Sequence, residues 1–187
     1  MLISKIVSGG QTGVDRGALE AALELGFPYG GLIPKGRIAE DGIVPLKFAA
    51  MTDDTRRGYL HSMEMNVVNS DATLIILPYD DEHPDGQSAL SGRAKRAWDF
   101  ADKHVKPCLV IFNMNAADNI YSTLCWLKDV KETCGLKDGV VLNVVGPKDA
   151  ERKGVQAIAY RFVSGLIREA NSVDEDTLDW RWPDELD

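Results

Sequence analysis

Short apolar runs alternate with amphipathic stretches along this chain of 187 residues. The runs are rich in isoleucine, valine and leucine and lack a polar alternation, which is typical of parallel strands covered on both faces. The predicted strands are Leu2–Val7, Phe27–Ile33, Ala72–Leu77, Cys108–Phe112 and Val140–Val145. The predicted helices are Val14–Leu25, Asp53–Asn69, Ser91–His104, Ala117–Cys134 and Gly154–Glu169.

This alternation of strands and helices predicts an α/β fold, a three-layer sandwich with a mainly parallel sheet of about five or more strands. No internal repeat or linker divides the chain, so residues 1–170 are expected to form a single domain, with an acidic tail at 171–187. Ligands of such sheets bind beyond the carboxyl ends of the strands. The loops expected there are 8–13, 34–42, 78–92 and 146–153.

The charge distribution argues against a nucleic-acid partner. The formal net charge is −8, and most of it lies in residues 171–187, where seven acids stand against one arginine. A nucleic-acid surface would need a basic excess instead. The same tail contains Trp180 and Trp182, and it is either a solvated extension or a segment that docks on the domain or on a second subunit.

A membrane partner is not expected, because no apolar run approaches the roughly 20 residues that span a bilayer. The N-terminus leads directly into a predicted strand and lacks the apolar core of a signal peptide. Cys108, Cys125 and Cys134 form no C-x-x-C pair. They indicate reduced thiols in a cytoplasmic protein.

The segment Ser8–Gly17 has the sequence SGGQTGVDRG and lies between the first predicted strand and the first predicted helix. Glycines let a backbone approach a ligand closely, and the free N–H groups and dipole of a helix N-terminus attract anions. Gly9, Gly10, Gln11, Thr12 and Gly13 are therefore predicted to hold a phosphate-like group. A carboxylate placed by Gly10→Asp is expected to occupy the position of that anion.

Two further residues of this segment bear on that hypothesis. Arg16 lies in the first helical turn, where a cation opposes the helix dipole, so it is expected to meet a bound anion or an acid across the cleft. Asp15 is expected to contact ligand hydroxyls or to orient the cations. The alternative is that Thr12 and Asp15 only cap the helix and that Gly17 only lets it approach the sheet.

The commonest phosphate-binding motifs do not fit. No Lys-Ser or Lys-Thr follows the glycines, as a Walker A loop requires. The end of the second predicted strand, where a dinucleotide-binding fold has an acid, is followed by Lys35, Gly36 and Arg37. Lys35 and Arg37 could clamp a phosphate, with Arg37 donating two parallel hydrogen bonds.

Glu40 and Asp41 follow in the same segment, and they could bind a sugar hydroxyl, a metal or Arg16. The alternative is a surface turn with charges of both signs.

The long polar segment 78–94 follows the third predicted strand, and loops of this length within a compact domain are often functional. His83 lies there among acids but has no partner motif. No histidine or cysteine cluster has the spacing of a metal site, so no metal is predicted. A Gly-x-Ser-x-Gly nucleophile elbow is also lacking.

These segments resemble the molybdenum carrier proteins, a family in the SLOG group of Rossmann-like nucleotide-binding proteins. The resemblance covers roughly residues 3–168 and is carried by Ser8–Leu19, Pro34–Arg37, Ala39–Gly42, Asn66-Val67, Ser70–Ile75, Lys106-Pro107, Asn143–Pro147 and Gly154. It implies a Rossmann-like domain that binds a nucleotide-like or pterin-phosphate ligand and self-associates into a homo-oligomer. Relatives in the wider group include phosphoribohydrolases.

The chain departs from the family pattern after the third predicted strand. The Gly-Gly-Thr phosphate loop of the family aligns with Asp85–Ser88 or with Ser91–Ala94, and neither copy is intact. In the second alignment, Arg93 would supply the phosphate contact. His61-Ser62 stands where the family has Arg-Thr, and the glutamate of the phosphoribohydrolases has no clear counterpart.

Three hypotheses follow. The first is a binding protein for a small anionic ligand, either a nucleotide or the molybdenum cofactor; molybdate itself would also suit the glycine-rich turn. The second is a hydrolase of the N-glycosidic bond of nucleoside monophosphates, with Glu40 or Asp41 as acid–base. The third is an oligomeric regulator that senses a metabolite. No cofactor is fixed by the residues alone.

Overall fold

The sheet of this protein has six parallel strands. In the computed structural model, the described residues are 1–55, 58–77, 90–112 and 116–179, without the side chains of 116–118. The strands of the sheet are β1 (Ile3–Val7), β2 (Tyr29–Pro34), β5 (Met51–Asp54), β6 (Ala72–Leu77), β7 (Cys108–Phe112) and β8 (Val140–Val145). A separate antiparallel hairpin consists of β3 (Ile38–Ala39) and β4 (Gly42–Ile43). The strand order of the sheet is β5-β2-β1-β8-β6-β7.

Helices cover both faces of the sheet. They are α1 (Val14–Glu24), α2 (Tyr59–Val68), α3 (Gly92–Lys103), α4 (Ala116–Thr133) and α5 (Val155–Ser172). Along β6, Leu74 and Ile76 pack into the core formed with α1, α4 and α5, whereas Ile75 and Leu77 pack against α3. Helix α2 packs beside α3. The predicted α/β fold is therefore confirmed as a Rossmann-like three-layer arrangement.

The prediction missed β5 and the β3–β4 hairpin. Residues 51–54 read Met-Thr-Asp-Asp, and only the first and last are buried, because β5 is an edge strand that pairs with β2 alone. A polar edge strand does not produce the apolar run that marks the central strands. The helix expected at Asp53–Asn69 accordingly begins later, at Tyr59.

The C-terminal part packs on the domain as far as it is described. Helix α5 extends to Ser172, three residues beyond the predicted end, and a short 3₁₀ helix follows at Glu175–Thr177. Leu178 is buried in the main core. The carboxylate of Glu175 pairs with the amino group of Met1 and with Lys131, at 2.8 Å each. Trp180 and Trp182 lie outside the described residues.

The strand order places a crevice at the centre of the sheet. The helices that follow β1 and β8, α1 and α5, pack together on one face, whereas α3, the next helix after β6, packs on the opposite face. Connections that leave adjacent strands on opposite faces open a ligand crevice beyond their carboxyl ends. The turn at 8–13 and the loop at 146–153 both lie there. Among the described helices, none is both long and apolar enough to cross a membrane.

Candidate ligand-binding site

The glycine-rich turn packs closely against the loop that follows β8. Gly13 has φ of +79°, and a Cβ atom there would lie 2.3 Å from the carbonyl oxygen of Pro147. The N–H of Val14 donates to that same carbonyl at 3.2 Å. Gly13 itself is the N-cap residue of α1, and no side chain caps the helix. The capping alternative for Thr12 and Asp15 is therefore wrong.

Gly17 permits the close approach of two helices rather than of a helix and the sheet. A Cβ atom at Gly17 would lie 2.3 Å from the carbonyl oxygen of Gln156 in α5. Gly10 has φ of +72°, and its Cβ would point at Ile33 and Val44 in the core. The expected effect of Gly10→Asp is therefore wrong, because the new side chain would enter the core and not the ligand site.

A buried carboxylate occupies the inner side of the turn. The side chain of Asp15 is 1% exposed and forms an ion pair with Arg93, which is 6% exposed. A Cβ atom at Gly9 would lie 2.8 Å from Asp15 Oδ2, so the carboxylate lies directly against the turn. Burial raises the pKa of Asp15, and the Arg93 guanidinium acts in the opposite direction. The backbone amides of Gly9 and Gln11 also favour the charged form.

Arg93, which was expected to contact a phosphate, therefore pairs with Asp15, a buried acid of the protein itself. It lies in the first turn of α3, and its Nε also approaches the carbonyl oxygen of Gly146 at 3.4 Å. The alternative alignment of the phosphate loop, Asp85–Ser88, lies outside the described residues, as does His83.

Arg16 meets an acid across the cleft, one of the two outcomes that its position predicts. Its Nη1 lies 2.5 Å from Asp41 Oδ2, and its Nη2 lies 3.1 Å from Oδ1. Nη2 also donates to the carbonyl oxygen of Gly10 at 3.0 Å. The hydrogen bond from Arg16 holds the pKa of Asp41 below its usual value. This pair ties the β3–β4 hairpin to the glycine-rich turn.

Gln11 and Thr12 strengthen the same connection. The amide of Gln11 donates to the carbonyl oxygen of Ile38 at 3.1 Å and accepts from the backbone N–H of Glu40 at 3.2 Å. The hydroxyl of Thr12 donates to the carboxylate of Glu40. The turn therefore holds the hairpin in place as one wall of the site.

Arg37 does not offer the predicted phosphate clamp. Its guanidinium donates to three backbone carbonyls, of Val44, Pro45 and Phe48, at 3.1–3.2 Å. Two of these carbonyls, of Pro45 and Phe48, also accept a backbone N–H, so Arg37 adds a second donor to a turn of the segment that follows β4. Gly36 donates its N–H to Asp53 in β5 at 3.3 Å. Of the Lys35-Gly36-Arg37 segment, only Lys35 lines the open cleft.

A cleft of about 520 Å³ lies between the hairpin and the loop after β8. Its lining residues are Gln11, Pro34, Lys35, Ile38, Ala39, Glu40, Gly58, Tyr59 and Lys148. Lys35 is exposed and makes no ion pair with any described residue. The ammonium of Lys148 lies 3.4 Å from Glu40 Oε2.

The sequence reasoning missed Lys148 and Tyr59. Lys148 follows Pro147, at the carboxyl end of a predicted strand, and that position could have identified it. Tyr59 gave no comparable signal, because it was expected inside a helix. Its ring lies 4.8 Å from the guanidinium carbon of Arg93 and 5.9 Å from the ammonium of Lys148. Cations at such distances from a ring are attracted by its π electrons.

Within the described ranges, no group of three or more side chains could hold a metal ion. The parallel sheet with a crevice between diverging connections defines a Rossmann-like α/β domain. Residues 6–167 match the Circularly permutated YpsA SLOG family. The chain belongs to this family.

A solved structure is similar over most of its length. It is the crystal structure of a "Putative molybdenum carrier protein" from Syntrophus aciditrophicus SB, with 32% sequence identity and a TM-score of 0.67. The match covers 90% of this chain and 94% of that chain. The predicted resemblance is therefore confirmed. No match was found among curated proteins.

Proposed function

We propose that this chain is a binding protein for a small anionic ligand, of the phosphate-bearing nucleotide or molybdopterin type. The observation that carries the proposal is the position of Lys35 and Lys148, whose ammonium groups line one cleft beyond the carboxyl ends of the strands. Lysine binds phosphate as a point charge. The similarity to a protein described as a molybdenum carrier supports the same class of ligand.

The glycine-rich turn has a different part in this proposal from the one that its sequence predicts. The Asp15 carboxylate already lies against the turn, and it would repel a fully ionised oxyanion placed beside it. The anionic group of the ligand is therefore assigned to Lys35 and Lys148, and free molybdate is not assigned to the turn.

The residues present fit the molybdenum cofactor at its phosphate end. Lys35 and Lys148 would hold the phosphate, and the amide of Gln11 and the carboxylate of Glu40 line the remainder of the cleft. When bound, the cofactor would be cargo, with its metal chemistry carried out elsewhere. What the chain itself supplies is charge, a cleft of suitable volume and a rigid wall from the hairpin.

Calorimetric titration tests the proposal, with adenosine 5′-monophosphate, inorganic phosphate and molybdate as probes. We expect the nucleotide to bind and Lys35→Ala or Lys148→Ala to weaken it about tenfold each, because each variant removes one charge from the anion. Lys137→Ala is the matched control, because this exposed lysine precedes β8 and lies at the opposite edge of the sheet. Equal effects of all three variants, or no binding of any probe, would refute the proposal.

A second candidate is a hydrolase of nucleoside monophosphates, and Glu40 favours it. Its carboxylate lines the same cleft and contacts Thr12 and Lys148. Asp41 is less suited to proton transfer, because Arg16 keeps its pKa low. Release of free base from a nucleoside monophosphate would support this candidate, provided that Glu40→Gln abolishes it. The regulator and homo-oligomer hypotheses call for ligand-dependent assembly, measured by light scattering.

A further inference from the structure

A second, smaller cavity lies beside the cleft, and Tyr59 lines both. It is partly open and has a volume of about 10 Å³, close to the space that one water molecule occupies. Its lining residues are Gly9, Asp15, Tyr59, Ser62, Met63, Asn66, Arg93, Asn143 and Val145. The cavity is therefore polar and large enough for a single oxygen or nitrogen atom.

Three buried polar atoms of residues that line this cavity have no hydrogen-bond partner within the described part of the chain. They are Asp15 Oδ1, Arg93 Nη1 and the hydroxyl of Tyr59. Asp15 and Arg93 are almost completely buried, although they pair with each other through their other atoms. Buried polar atoms without partners cost free energy, so three of them on residues that line one cavity point to a bound group.

The chemistry of the three atoms selects that group. An ionised carboxylate only accepts hydrogen bonds, a guanidinium only donates, and a phenol does both. A hydroxyl can donate to Asp15 and accept from Arg93 through one oxygen atom. A protonated amine could not accept from Arg93, and an oxyanion would face the Asp15 carboxylate.

We propose that this cavity binds one hydroxyl group of the ligand, a sugar hydroxyl of the molecule whose anionic group lies at Lys35 and Lys148. The inference rests on the proposed function, because Tyr59 connects the cavity to the cleft. It adds a requirement that the cleft alone does not impose. The ligand must place a hydroxyl, and not only a phosphate, beside the glycine-rich turn.

Matched nucleotides test the inference by calorimetric titration of the full chain. The probes are adenosine 5′-monophosphate and its 2′-deoxy and 3′-deoxy analogues. Because the cavity takes one group, we expect one deoxy analogue to bind at least about tenfold more weakly and the other within about twofold. Removal of the hydroxyl from the ligand leaves the Asp15 and Arg93 atoms without partners in the complex.

Protein variants provide the second arm of the test. Tyr59→Phe removes one of the three polar atoms but keeps the ring against Arg93, so the difference between the two deoxy analogues should shrink. Tyr160→Phe is the matched control, because its hydroxyl contacts Glu24 in a groove between α1 and α5. The preference of the Tyr160→Phe variant among the three nucleotides should equal that of the wild type.

The outcomes separate this inference from the proposed function. If the three nucleotides bind equally while Lys35→Ala still weakens all of them, the hydroxyl subsite is refuted and the anion cleft stands. If Tyr160→Phe changes the preference as much as Tyr59→Phe, the subsite is refuted as well. If none of the three nucleotides binds at millimolar concentration, the hydroxyl subsite is refuted, and if inorganic phosphate and molybdate do not bind either, the proposed function is refuted with it.

Discussion

Two regions at the same edge of the sheet use positive charge in opposite ways. Next to the glycine-rich turn, Arg93 and Arg16 are each 6% exposed and each pair with an aspartate. In the neighbouring cleft, Lys35 is exposed, and the Lys148 ammonium lies 3.4 Å from Glu40 Oε2 and 5.9 Å from the Tyr59 ring. The arginines therefore maintain the shape of the turn, while the lysines leave positive charge accessible in the cleft.

The difference follows from the two side chains. A guanidinium presents several donors in a plane, so it can satisfy a carboxylate and backbone carbonyls at once, as Arg16 does with Asp41 and Gly10. An ammonium is a compact and strongly hydrated charge, which remains in solvent until an anion arrives. Stability and affinity should therefore depend on different residues here.

The largest expected effect on stability comes from disrupting the ion pair between Asp15 and Arg93. Arg93→Ala leaves Asp15 buried without its partner, and this should lower the free energy of unfolding by about 3–5 kcal/mol. Urea unfolding measures it. The double variant Asp15→Ala/Arg93→Ala should recover part of the loss, because no unpaired charge remains. A loss below about 1 kcal/mol for Arg93→Ala would show that the pair contributes little to the inner region.

The turn itself should be nearly as sensitive. Gly13→Ala combines a positive φ with a clash against Pro147, and we expect a loss of about 2–5 kcal/mol. Gly26→Ala is the control, because Gly26 has φ of +61° but no atom near its Cβ position. It should lose only about 1–2 kcal/mol in the same unfolding measurement. Equal losses would mean that the packing of the turn against the loop after β8 is unimportant.

Replacement of Asp41 should have a smaller and pH-dependent effect on the free energy of unfolding. The side chain is 46% exposed, so its ion pair with Arg16 is screened by solvent. Its pKa lies below the ordinary value of 3.8. The stabilisation is therefore complete above that value and is lost as the pH falls through the lowered pKa. Asp41→Asn should cost about 0.5–1 kcal/mol at pH 7.

Urea unfolding of wild type and Asp41→Asn between pH 2 and pH 7 measures the difference. The two stabilities should converge at the acidic end. A difference that stays constant across this range would contradict the assignment to an ion pair. The pH dependence of stability expected from Asp15 has the opposite sign, because burial raises the pKa of Asp15 and ionisation of its carboxyl group opposes folding.

The smallest expected effect on stability is in the cleft. Lys35→Ala should change the free energy of unfolding by less than about 0.5 kcal/mol, because the side chain is exposed and makes no ion pair with a described residue. Thermal unfolding without ligand measures this. Its effect on nucleotide binding should decrease as salt is added, since exposed charges are screened. A large loss of stability would assign Lys35 to the same structural role as the arginines.

The parts of the fold that sequence predicted best are its central strands. β6 and β8 have the predicted bounds, because strands with two covered faces leave a continuous apolar run. The edge strand β7 also has its predicted bounds, because its sequence CLVIF is apolar throughout, unlike that of β5. β5 and the β3–β4 hairpin escaped prediction, because an edge strand and a two-residue ladder carry no such pattern. The resemblance to the family was also readable from the sequence, with the glycine-rich segment as its most specific motif.

The candidate site likewise has features that the sequence predicted and features that it did not. The candidate edge was predictable from the sequence, because glycines and cations follow the ends of apolar runs at fixed positions along the chain. The partner of each charge depends on the three-dimensional packing. Arg93 and Asp15 are 78 residues apart, and their pairing is set by how α3 packs against the turn. Lys148 and Tyr59 lie in the site for the same reason, because residues that are distant in the chain become neighbours through packing and not through local sequence.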